Sequence, residues 1–200
     1  MSPVVRRLIA ALLPPLLLAG CLPESQNPIA PPEAAIIDPQ LPGLWMTQVE
    51  DEQLYLHVLK GDGHLYDVVS VSHRPDGRGA TDLYEGYVTP VGDLRFANLQ
   101  PIDSLDDDSG DIQATYFFTA YEFEGPDRLV VRFLAQQPLI DAIAAGKLKG
   151  EVSTANKLQA LGLDVLLTEE PARLAEFLAT TDPAVLFDRS MTFRRVPPLP

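Results

Sequence analysis

The sequence predicts a mainly β (α+β) protein: an antiparallel meander or small barrel, with two or three short helices in its last third. Three observations lead there. From Gly43 onward, short runs of β-formers alternate with clusters of turn residues. Consecutive runs are joined by tight connections such as Gly125, Pro126 and Asp127, which return the chain antiparallel. Helical spacing of apolar residues enters only after Pro138.

The first element is a targeting segment. Arg6 and Arg7 precede an almost wholly apolar run, Leu8 to Leu18, broken by Pro14 and Pro15. A spanning helix needs about 20 apolar residues, and two central prolines would break one. A charged start, a short apolar core and small residues before a cut describe a signal peptide over 1–20. It ends in Leu18, Ala19, Gly20 and Cys21, the only cysteine of the chain. This stretch resembles the lipobox of bacterial lipoproteins at all four positions. The resemblance implies a diacylglycerol on Cys21, cleavage after Gly20 and acylation of the new amine. Leu22 rather than Asp follows the cysteine, which by the same resemblance favours the outer membrane, periplasmic face, over the inner.

Residues 21–42 then read as the lipidated cysteine and a proline-rich tether. Pro23, Pro28, Pro31, Pro32, Pro39 and Pro42 remove backbone donors and favour extended conformers. At about 3.1 Å per residue this spacer would reach ~60 Å. Ala34 to Ile37 is its one apolar patch, and could touch the folded body.

A single β-rich domain is expected over 43–200. Strands fall near 44–50, 53–59, 64–72, 82–89, 93–99, 114–124 and 128–135. Lys60 to Gly63 makes a hairpin turn, because glycine accepts the positive φ such turns demand. Arg74 to Gly79 is a polar loop, and Pro90 to Asp93 another tight connection. Pro138 to Ala145 fits a short helix ending at Gly146. Short strands follow at 151–154 and 163–168. Thr168 stands as the cap of a helix with Glu169 and Glu170 in its first turn and Leu174, Phe177 and Leu178 on its apolar face. Asp182 and Pro183 start another turn, and 191–196 is a last strand stopped by Pro197 and Pro198.

Gly43, Leu44 and Trp45 open the first strand. This Gly-x-Trp resembles the first motif of lipocalins, closed β-barrels that carry small apolar ligands. The resemblance implies that Trp45 plugs the barrel floor and packs against a late arginine, Arg194 or Arg195, through a cation–π contact. Thr81, Asp82, Leu83 and Tyr84 resemble the second motif of that family, with Leu83 inserted and the motif early in the chain.

His57 and His64 sit on the two arms of one hairpin, near Tyr66 and Asp67. A two-residue turn would set His57 opposite Tyr66; a turn with a bulge at Gly63 would set it opposite Asp67. A zinc site would need further ligands. Asp103, Asp106, Asp107, Asp108 and Asp111 crowd one loop, but Phe117 stands where an EF-hand counted from Asp106 needs Glu. These read as solvated side chains, and no metal or cofactor is expected.

The formal charge of −13 repels phosphate backbones and argues against nucleic acid. No nucleophile elbow, phosphate-binding loop or dinucleotide fingerprint is present. A Ser–His–Asp grouping, for instance Ser70 or Ser72 with His57 and Asp67, would have to be assembled by the fold. The expectation is a non-enzymatic, lipid-anchored structural or interaction module of the cell envelope, with an envelope protein as partner. The alternative is a lipocalin-like binder of a small apolar ligand, and a distant third is an envelope hydrolase.

Overall fold

A computed structural model describes residues 22–104, 115–154 and 163–197. The signal segment, the lipobox residues Leu18 to Cys21 and the acidic residues 106–111 lie outside them.

The chain forms β1 (Glu24–Ser25), β2 (Gly43–Val49), β3 (Glu52–Lys60), β4 (Tyr66–His73), β5 (Gly79–Val91), β6 (Leu94–Ser104), β7 (Tyr116–Phe123) and β8 (Arg128–Leu134). Then come α1 (Gln136–Ala144), β9 (Gly150–Thr154), β10 (Leu163–Leu167), α2 (Pro171–Thr180), α3 (Pro183–Leu186) and β11 (Phe187–Arg195). Strands β2 to β8 pair in sequence order, and β11 fits between β8 and β2. Eight antiparallel strands therefore close into a barrel. Closure removes the exposed edges that an open meander would present.

Side chains of a strand alternate between faces, so a barrel strand reads as inside and outside residues in turn. On β7, Tyr121 points into the barrel, while Phe118 and Ala120 point out. Two apolar cores result, one on each side of the wall. The inner one gathers Trp45, Val58, Tyr66, Val88, Tyr121, Leu129, Val131 and Phe193. The outer one joins Val91, Phe96, Phe118 and Ala120 to Leu139, Leu174, Leu178 and Leu186 of the helices. This double burial explains why β7 reads as nearly continuous apolar sequence.

The strand expectations hold closely, and three local readings need correction. Residues 22–42 are not a free spacer. Pro23, Ser25, Ile29, Asp38 and Leu41 are buried. Glu24 and Ser25 pair with β7 on one side and β10 on the other, and Ile36 bridges to Val88. The prolines did not prevent this, because the donors the segment needs come from other residues: Ile29 N–H donates to Asn98 Oδ1 at 2.9 Å and Ile36 N–H to Val88 O at 2.9 Å.

The first hairpin takes neither expected register. Lys60 pairs with Tyr66 and His57 with Val69, because the connection is a five-residue loop closed by Gly61 N–H on Leu65 O at 2.9 Å. Finally, Thr168 does not cap α2. The cap position is Glu170, with no side-chain bond, and Thr168 N–H instead donates to Lys149 O. The buried Glu169 carboxylate accepts from the backbone N–H groups of Glu170 and Lys149. These bonds, that of Glu170 first, hold its carboxyl below the usual carboxylate range.

Candidate functional site: the two ends of the barrel

At one end stand the first residues of β2, β4, β6 and β8 and the last residues of β3, β5, β7 and β11. Trp45 fills it and is fully buried. Its ring lies 5.8 Å from that of Phe123, and its indole N–H donates to Leu41 O at 2.8 Å. Arg195 covers the other side, its guanidinium carbon 4.0 Å from the ring centroid. The same guanidinium donates to the carbonyls of Pro42, Gln40 and Pro126. Gly43 makes this stack possible: a Cβ there would collide with Arg195 Nη1. Gly43 also sits at φ +145°, a conformation that L side chains rarely adopt, so the spacing Gly-x-Trp has a backbone cause beside the room left for the arginine.

The choice between the two arginines follows from parity along β11. Arg195 pairs with Trp45 and Arg194 with Met46. Arg194 therefore faces outward and is exposed, so the anchor paired with Trp45 is Arg195 and not Arg194.

The chain ahead of β2 completes the closure. Asp38 is 5% exposed. Its Oδ2 accepts from Arg95 Nη1 at 2.9 Å and from Tyr121 Oη at 3.0 Å. Its backbone N–H donates to Tyr66 Oη at 2.8 Å, and that hydroxyl donates in turn to Asp38 O. A buried carboxylate is costly unless paired and hydrogen-bonded, and here it is both. Burial, then the charge and hydrogen bond of Asp38, push the Tyr121 phenol far above its ordinary value. Burial raises Tyr66 as well. Both phenols stay neutral, which suits them as donors to this oxygen cluster.

The opposite end is different. Leu54 and Phe133 lie there, and Leu56, Val68 and Met191 lie between them and the Trp45 end; all five pack against the inner core, yet all are only partly buried. Ladder parity places Ser70, Asp82, Tyr84, Leu99, Phe117 and Arg189 on the same inner face. Tyr84 and Phe117 meet edge to face at 6.4 Å, and Arg189 lies 5.8 Å over Phe133. Burial first, then Asp82, raises the Tyr84 phenol. In the second motif-like stretch, the register irregularity opposite Leu83 and Tyr84 leaves Ile102 of β6 unpaired and 55% exposed.

The remaining candidates stay apart. His57, His64 and His73 are exposed. Ser70 and Ser72 face inward, whereas the ladder turns His57 and Asp67 outward, so no Ser–His–Asp grouping forms from them. Among the described residues, no three His, Cys, Asp or Glu side chains converge as metal ligands, and no helix is long and apolar enough to cross a membrane. Sequence reasoning missed Asp38, Arg95 and Tyr121; Asp38 is one of three acidic residues in the proline-rich stretch, and nothing local sets it apart from Glu24 and Glu33.

No family model, no curated protein and no solved structure matches this chain.

Proposed function

We propose that the protein is a lipid-anchored barrel of the bacterial cell envelope that takes a small apolar ligand into the end opposite Trp45. One observation supports the ligand reading above others: inward-facing Leu54, Leu56, Val68, Phe133 and Met191 keep solvent contact although they line the interior of a closed barrel. Apolar surface inside a cup is what an apolar ligand covers with gain, at about 25 cal/mol per Å². The barrel, the Gly43-x-Trp45 strand and the Arg195 stack are the features shared with lipocalin-like binders. The structural-module reading would leave this inner surface without a use.

The test exploits Trp45, the only tryptophan, which sits beneath the cup. Titration with an apolar naphthylamine dye should quench Trp45 emission and raise dye emission saturably. Met191→Glu places a carboxylate in the cup at a position already in contact with water, so the fold survives, as circular dichroism would verify. It should weaken dye binding by about tenfold or more. Dye uptake that never saturates, or that is unchanged in this variant, would sink the ligand reading.

The anchor reading rests on Leu18 to Cys21. With Pro23 buried and Glu24 in the sheet, a lipid on Cys21 would hold the barrel against the bilayer surface rather than at the end of a long reach. Two or more acyl chains make such an anchor durable. Labelling cells with a radioactive fatty acid should mark the wild-type protein and leave Cys21→Ser unmarked. Equal labelling of both would overturn the anchor.

A further inference from the structure

Outside the barrel, where the bound N-terminal segment meets the wall, lies a groove of about 350 Å³. Glu33 enters it from the helical turn Pro32–Ala34 and His64 from the loop between β3 and β4. Glu85 and Tyr87 come from β5, Gln100 from β6 and Tyr116 from β7. It thus draws on five separate segments and is distinct from the cup.

Its chemistry is one-sided. Two carboxylates and two phenol rings line it, and no lysine or arginine does. Glu33 and Glu85 make no ion pair or hydrogen bond with any described side chain, whereas Asp38, Glu52, Asp76, Glu122, Glu124 and Glu176 each meet an arginine. Tyr87 is buried with its hydroxyl committed to Ala30 O at 2.7 Å, so its ring is fixed in the wall. Burial, then Tyr116 and Glu33, push its phenol far above the ordinary value, which keeps the ring neutral.

Two uncommitted carboxylates beside the half-buried Tyr116 ring form a receptor for a positive charge. The carboxylates attract the cation, and the Tyr116 ring stabilises it through its quadrupole. A bare divalent metal would need more oxygen ligands at close range than the groove supplies, and an anion would be repelled. We propose that this groove binds a small organic ammonium ion at Glu33 and Glu85, beside Tyr116 and over the wall that Tyr87 completes. The site is complete only while the N-terminal segment lies on the barrel, because Glu33 belongs to that segment.

The experiment is calorimetric titration of the protein with choline and putrescine, with succinate as the anionic control. At least one amine should bind saturably and succinate should not. Glu33→Gln combined with Glu85→Gln should weaken the amine by about tenfold or more; both residues are exposed, so the fold tolerates the change. Tyr116→Phe keeps an aromatic face and should bind nearly as wild type, while Tyr116→Leu should bind more weakly. Absence of saturation below about 10 mM amine, equal binding by the double variant, or binding of succinate would each overturn the site. Because the dye titration reads the other side of the barrel wall, either result can fail without the other.

Discussion

The two ends of this barrel are built from the same strands and carry opposite solutions to the same problem. At the Trp45 end, Trp45, Tyr121, Leu129 and Phe193 are buried. The indole, Phe123, Tyr121 and Phe193 fill the space. Asp38 brings a backbone segment across the strand ends, and Arg195 fastens that segment to the last strand. At the other end, apolar residues of the same parity remain accessible. A chain that closed both ends alike would have only a core; the side chains left accessible are what the proposed cup would use. The difference lies in the large side chains that the strands carry at one end and in the segment ahead of β2 that crosses that end.

Truncation at the two ends should separate them most clearly. Trp45→Ala removes a fully buried indole together with its stack on Arg195, and should cost about 3–5 kcal/mol. Met191→Ala removes a partly accessible side chain from the proposed cup and should cost roughly 1–2 kcal/mol, since less surface leaves water on folding. Urea unfolding followed by far-ultraviolet circular dichroism measures both. Equal costs would show that the cup is as tightly packed as the floor, and the contrast between the ends would dissolve.

This contrast was only partly legible in the sequence. Strand positions were, because period-two patterning and turn residues are local properties. Trp45 stood out as the sole tryptophan after a glycine. Its partner did not, since moving one residue along β11 turns a side chain to the opposite face, and only the ladder with β2 decides between Arg194 and Arg195. The hairpin histidines failed for a related reason: a loop of five residues shifts every pairing on β3 and β4 relative to a two-residue turn. The segment 22–42 misled most. Its prolines are a local signal for an extended spacer, whereas Asp38 owes its place to Arg95, Tyr66 and Tyr121, which lie 28 to 83 residues away in sequence. Extended conformation was the correct inference; detachment was not a consequence of it.

The smaller effect expected at the closed end depends on pH. Burial raises Tyr121 far above its ordinary value and raises Tyr66 too. The folded state therefore holds these protons more tightly than the unfolded chain does. Below about pH 10, where an unperturbed phenol is protonated, both states keep them and the fold loses nothing. As the pH climbs past that value, the unfolded chain ionises first and stability falls. Tyr121→Phe cannot ionise, so its stability should decline less steeply with alkali. At neutral pH the same variant is weaker by about 1 kcal/mol, because Asp38 Oδ2 loses the hydroxyl that donates to it. The wild-type advantage should therefore be present at pH 7 and shrink by pH 11, as read from urea midpoints at the two values. A gap that stays constant would mean that Tyr121 already ionises as freely in the folded barrel as in the open chain. The oxygen cluster around Asp38 would then not be sealed from water, and the closed end would be no more closed than the cup.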